Sequence, residues 1–151
     1  MQTASSIDNG ARKAALDVLA SAPSSALARL WDQWADKPDH TKVRGPEVGL
    51  VMVRGRAGGG GAPFNLGEAS VSRASVRIAS GQVGHGYCLG RDMAKAEIIA
   101  VIDALWQREP SRVEAEIIAP LRAEAITADQ KRRDQSAATK VDFFTMVRGD
   151  N

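Results

Sequence analysis

The sequence predicts an α+β fold: an antiparallel sheet of about four strands, with an N-terminal helical hairpin and C-terminal helices packed on it. Three observations point there. Apolar residues recur at helical spacing near both ends of the chain, while the middle holds short Val- and Ser-rich runs. Gly and Pro separate those runs, as they do in hairpins. At 151 residues the chain fits one domain, residues 1–151, and a domain of that size buries about 68–70% of its unfolded surface.

The elements follow in order. Residues 12–20 put Ala15, Leu16 and Leu19 on one helical stripe, and Pro23 interrupts it before a second stripe of Leu27, Leu30, Trp31 and Trp34. Together they read as a helical hairpin. Pro23 suits the first turn of the second helix, where its missing N–H costs nothing. Asp36-Lys-Pro-Asp-His40 then ends the helix. Between Lys42 and Leu89 the strand signals are residues 48–53, 69–79 and 82–89, with Ser80-Gly81 as a hairpin turn. Residues 91–108 form the clearest helix, with Asp92 as N-cap and Ile98, Val101, Ile102 and Leu105 on one stripe. The opposite face carries Ala96, Ala100 and Asp103. Small residues permit close approach of another backbone, but solvent exposure is the expected state of this face. Pro110 stops the helix, residues 113–121 are apolar without a clear period, and residues 123–138 predict a polar helix. Lys131-Arg-Arg-Asp134 reads as its solvated face. No period of repeat length appears, so a solenoid is excluded.

Composition removes several function classes. Hydrophobic residues at 44% and charged residues at 25% are ordinary for a globular chain, and no apolar run approaches the ~20 residues a membrane helix needs. The first residues show neither a basic nor an apolar signal region, so the cytoplasm is the expected compartment. Cys88, His40 and His85 are too few for a convincing metal site, and no metal is expected. A net charge of +2 with scattered basic residues does not suggest nucleic acid as partner.

No complete catalytic set is visible. Arg54-Gly-Arg-Ala-Gly-Gly-Gly-Gly-Ala-Pro63 suggests a phosphate cradle, but no Lys-Ser/Thr follows the glycines and Pro63-Phe-Asn-Leu66 starts no helix. A mobile connection between strands is the expected role. Arg73 and Arg77 lie on one strand face while Ala74, Val76 and Ile78 take the other, so a cationic sheet face is a candidate anion site. Arg91 is a third candidate, at a helix start, although Asp92 competes for the same backbone donors. His85 and Tyr87 share a strand face without a carboxylate partner, and Cys88 has no assignable base. Arg73, Arg77 and Arg91 thus remain possible anion binders, and no residue is assigned as catalytic.

The last eleven residues are unusual for a terminus. Val141-Asp-Phe-Phe-Thr-Met-Val-Arg-Gly-Asp-Asn151 holds two of the chain's three Phe, and an aromatic run there is expected to dock against something. Residues 139–151 are therefore expected to be an extended arm, docked on a partner or on the sheet edge. Val141, Phe143, Phe144, Met146, Val147 and Arg148 are its candidate contact residues.

The tail, with Gly90-Arg-Asp92, Ala96-Glu97, Asp103-Ala-Leu105, Arg73-Ala-Ser-Val-Arg77, Glu47-Val-Gly-Leu-Val51 and Ile118-Ala-Pro-Leu121, resembles the PhnG family of the bacterial carbon-phosphorus lyase system. The resemblance runs from about the first helix to the C-terminus. It implies an accessory subunit of a multiprotein core complex whose partner subunits carry nucleosidase-like chemistry and radical carbon-phosphorus cleavage. It further implies that the complex displaces adenine from ATP with methylphosphonate, giving ribose 1-methylphosphonate 5-triphosphate. The complex would use ATP with Mg, with no cofactor bound by this chain. No family catalytic residue maps onto the sequence. The alternative from another class is a small phosphate- or nucleotide-handling enzyme acting alone through the three arginines.

Overall fold

The computed structural model describes residues 8–139. In chain order these form α1 (Asn9–Ser21), α2 (Ser24–Gln33), β1 (His40–Arg56), a short 3-10 turn (Ala57–Gly59), β2 (Pro63–Ile78), β3 (Val83–Leu89), α3 (Met93–Arg108), α4 (Pro110–Val113), a π turn (Glu114–Ile118) and α5 (Ala119–Ala138). The fold is α+β, with the helical hairpin and the C-terminal helices where the periodicity placed them. Among the described residues the sheet has three strands rather than about four, in the order β1-β2-β3 and antiparallel throughout. Strand length explains the smaller count: β1 and β2 run for 17 and 16 residues, so one long hairpin takes up the central region.

Asp8 starts α1 by accepting from the N–H groups of Gly10 and Ala11 at 2.9 and 3.2 Å, which satisfies two orphan donors and begins the helix before its apolar stripe. Pro23 sits one residue before α2 rather than in its first turn. At the far end of α1, Lys95 reaches over from α3 and donates to the carbonyls of Ala20 and Ala22 at 2.8 and 2.6 Å. A buried ammonium is thereby matched to the negative end of a helix dipole.

The solvent face expected on α3 is absent. Ala96, Ala100 and Asp103 are at most 1% exposed, because α3 lies between the sheet and the helical layer and is buried on both sides. The cause is in β3. Gly84 and Gly86 face this side of α3, and a Cβ on each would stand 1.9 Å from the Ala100 carbonyl oxygen and 1.8 Å from that of Ala96. Glycine opposite alanine brings strand backbone and helix backbone into direct contact. Ala74, Val76, Ile78 and Cys88 complete the sheet side of the core, and Leu19, Leu27 and Leu30 cover α3 from the helical layer. Full burial of one such aliphatic side chain contributes about 1.5–3 kcal/mol.

Pro110 ends α3 and begins α4 as its first residue. Residues 113–121 are helical, and their lack of a clear period has a local cause. The Ala119 N–H bonds to the Glu114 carbonyl, five residues back, immediately before Pro120. Proline lacks the donor for an ordinary turn and crowds the carbonyl four residues earlier, and the wider turn lets the helix continue through it.

Glu97 ties α3 to β1, binding His40 Nε2 at 3.0 Å and Lys42 Nζ at 3.2 Å. His40 first, and then Lys42, holds its carboxyl below the usual range. A lowered folded pKa gives stability that is complete above the unfolded carboxylate value, about 4.3, and is lost as pH falls through the folded value. The stability difference between wild type and Glu97→Gln, read from urea midpoints, is therefore expected to be present above the ordinary carboxylate range and to vanish as pH falls through the folded value. A difference that persists undiminished well below that range would contradict this assignment. Among the described residues, no helix is long and apolar enough to cross a membrane.

Candidate functional site

The helices cover one face of the sheet, and no described element covers the other. Strand alternation sends Arg73 and Arg77 to this outer face while Ala74, Val76 and Ile78 enter the core, as the sequence predicts. His85 and Tyr87 join them from β3, paired with Ser75 and Arg73. Arg44 and Glu47 arrive by a different route. Residues three apart in a regular strand point to opposite faces, but β1 takes up one extra residue between Lys42 and Arg44 and another between Arg44 and Glu47. Thr41, Arg44 and Glu47 therefore pair with Arg77, Ser75 and Arg73 in turn. Gly45 permits the second bulge. Its φ is +65°, and a Cβ there would lie 2.8 Å from the Glu47 nitrogen and 2.9 Å from the Arg73 carbonyl oxygen.

This irregular stretch assembles a cluster. Glu47 Oε1 accepts from Arg44 Nε at 2.8 Å and from Arg73 Nε at 2.6 Å. Arg73 foremost, with Arg44, holds the Glu47 carboxyl below its ordinary value. Both bonds use Nε, so the Nη groups of the two guanidiniums keep their donors. Ser75 Oγ and His85 Nδ1 share a hydrogen bond of 2.8 Å, which orients the imidazole. Arg44, Arg73, Ser75, His85, Gly86 and Tyr87 line a cavity of about 190 Å³.

Of the three arginines expected to bind anions, only Arg73 lines this cavity. Arg77 shares its sheet face but borders a separate recess of about 250 Å³ with Asp39, His40 and Thr41. Arg91 lies apart, exposed at the bend between β3 and α3. Asp92 beside it accepts from the Lys95 N–H at 2.9 Å, so the first turn of α3 is capped by its own carboxylate. Ser24 and then that N–H hold the Asp92 carboxyl below its usual range. Cys88 is buried, and burial pushes its thiol up, away from the reactive thiolate. Among the described residues, no group of three or more His, Cys, Asp or Glu is placed to hold a metal ion.

A second feature lies along the same strands. β3 pairs with β2 only from Val71 to Arg77, so residues 50–56 and 63–70 form a two-stranded ribbon past its end. Leu50, Met52, Val53, Phe64 and Leu66 on this ribbon are 41–63% exposed. Leu66 is the extra residue at the register shift after Val53 and folds over Gly55, where a Cβ would meet its Cδ1 at 2.2 Å. The glycine run forms the ribbon's tip, and a strand rather than a helix follows it. It connects two strands, β1 and β2. Beyond Leu121, α5 runs to Ala138 with almost every side chain exposed. Val141, Phe143, Phe144, Met146, Val147 and Arg148 lie outside the described residues.

A family model described as Phosphonate metabolism protein PhnG matches residues 10–149. The chain is 50% identical over 141 residues to Alpha-D-ribose 1-methylphosphonate 5-triphosphate synthase subunit PhnG of Rhizobium meliloti (strain 1021), an alignment covering 93% of this chain and 90% of that relative.

Proposed function

The chain belongs to the PhnG family of phosphonate metabolism proteins, and from that membership we infer that it is an accessory subunit of the synthase forming ribose 1-methylphosphonate 5-triphosphate. ATP and methylphosphonate are the reactants in this reading, adenine is displaced, and the setting is phosphonate catabolism in the cytoplasm. The partners are the nucleosidase-like and radical-lyase subunits of the same complex. ATP with Mg binds to the complex, with the metal held away from this chain.

The observation that supports a subunit role is the exposed ribbon. A two-stranded hairpin is marginal in water by itself, and large apolar side chains on both strands need cover. We assign that cover to another subunit of the synthase, since the Rhizobium meliloti relative is named as a subunit. The arm at residues 139–151 is assigned to the same kind of contact. At 1.5 Å per residue, the exposed part of α5 carries the chain about 25 Å beyond Leu121 before the arm begins. The alternative of a small phosphate-handling enzyme acting alone is not favoured, because the family match and a relative named as a synthase subunit both support a role within an assembly.

Co-expression with the other subunits tests both contacts. The double substitution Phe64→Asp with Leu66→Asp, and separately deletion of residues 141–151, are each expected to lower partner recovery by about tenfold or more, equivalent to ~1.4 kcal/mol. The circular dichroism of each purified variant should match wild type. Undiminished recovery with the ribbon variant removes the ribbon from the interface, and undiminished recovery after truncation removes the arm.

A further inference from the structure

We propose that the cavity between Arg44, Arg73, His85 and Tyr87 binds a small tetrahedral oxyanion, a phosphate or phosphonate group. This goes beyond the subunit role and does not depend on it. The donors converge from all three strands: Arg44 from β1, Arg73 and Ser75 from β2, His85 and Tyr87 from β3. Two guanidiniums face one carboxylate, which leaves a positive balance on a sheet face that no described element covers. Glu47 occupies only their Nε atoms, so four Nη atoms stay available in planar forks suited to oxyanions. A carboxylate would be satisfied by one such fork. A pair of forks with a phenol and an imidazole alongside matches the three terminal oxygens of a tetrahedral group.

Size narrows the ligand further. At about 190 Å³ the cavity holds the equivalent of roughly six waters at ~30 Å³ each. Sites for larger molecules start at about 300 Å³. A phosphate-sized group fits, and a whole nucleoside does not. The bulge at Gly45 has a purpose in this reading, since without it Arg44 would point to the opposite face.

Calorimetric titration of the full chain with inorganic phosphate, methylphosphonate and acetate, at constant ionic strength, tests the site. Saturable binding of phosphate or methylphosphonate is expected, with acetate at least about tenfold weaker. The tighter of the first two identifies the group as phosphate or phosphonate. Arg44→Gln and Arg73→Gln should each weaken binding by about tenfold or more, and Arg91→Gln should leave it unchanged. Arg44 and Arg73 are exposed, and matching thermal melts would confirm that their variants fold. No saturable binding to wild type overturns the proposal, as does equal weakening by Arg91→Gln. Acetate binding as tightly as phosphate also overturns it, and would point to a partner's carboxylate.

Discussion

Replacing Gly86 with alanine is expected to cost upwards of about 3 kcal/mol and to leave little folded protein at physiological temperature. The new Cβ would be built 1.8 Å from the Ala96 carbonyl oxygen and 2.8 Å from the Ala100 nitrogen. Both are backbone atoms of a helix buried on each side, so no rotamer change can relieve the overlap. Relief requires α3 to move off the sheet, which would open the layer on which the whole core rests. Gly84→Ala meets the same obstacle against Ala100 and Ala104. Gly49→Ala is the internal control, with no atom within 4 Å of its added carbon. Urea midpoints for the three variants decide the matter. A Gly86→Ala protein within about 1 kcal/mol of the Gly49→Ala protein would show that the helix yields easily.

The second large effect lies at Asp103. Its carboxylate accepts from Arg12 Nε at 2.8 Å, from Arg12 Nη2 at 2.7 Å and from the His85 N–H at 2.8 Å. One buried group thus joins α1, α3 and β3. The Asp103 bond raises the Arg12 pKa further, so the guanidinium remains charged wherever the protein is folded. Removing one member of a buried pair leaves the other without compensation, at about 3–5 kcal/mol. Asp103→Ala and Arg12→Met are each expected to fall in that range. The double substitution Arg12→Met with Asp103→Leu should recover a large part of the loss, because neither charge then remains to be desolvated. Strictly additive losses in the double-mutant cycle would show that the two side chains are not coupled.

The same carboxylate shows why the sequence misplaces one face of α3. Helical spacing correctly separates Ile98, Val101, Ile102 and Leu105 from Ala96, Ala100 and Asp103. Amphipathicity then assigns the small and polar side to water. That inference holds for a helix with one packed face, whereas α3 has two, and the signal for the second is in Gly84 and Gly86 of a strand. The single carboxylate on that face has its partners in β3 and in α1, 91 residues earlier in the chain. No local pattern connects them.

The candidate site divides in the same way. Arg73, Ser75, Arg77, His85 and Tyr87 are legible as one sheet face, because alternation in β2 and β3 is regular there. Arg44 and Glu47 are not, since two bulges in β1 override the alternation that would separate them. A glycine at position 45 was the available signal, and its meaning emerges only once the Arg73 carbonyl is seen 2.9 Å from where a Cβ would be. Arg91 resembled an anion site by position alone, and the structure places it outside the cluster.

Taken by itself, the sequence determined the α+β class, the helical hairpin, the Asp92 cap, the facing of β2 and the family resemblance, all carried by residues close together in the chain or by motifs. Tertiary structure alone decided three things: that α3 is buried twice, that Arg44 meets Arg73 through Glu47, and that the β1-β2 hairpin outruns β3 to expose its apolar ribbon. The physical reason is common to all three. Periodicity states which side chains share a face, but what covers that face, and where a strand slips its register, depends on a partner strand or helix distant in sequence.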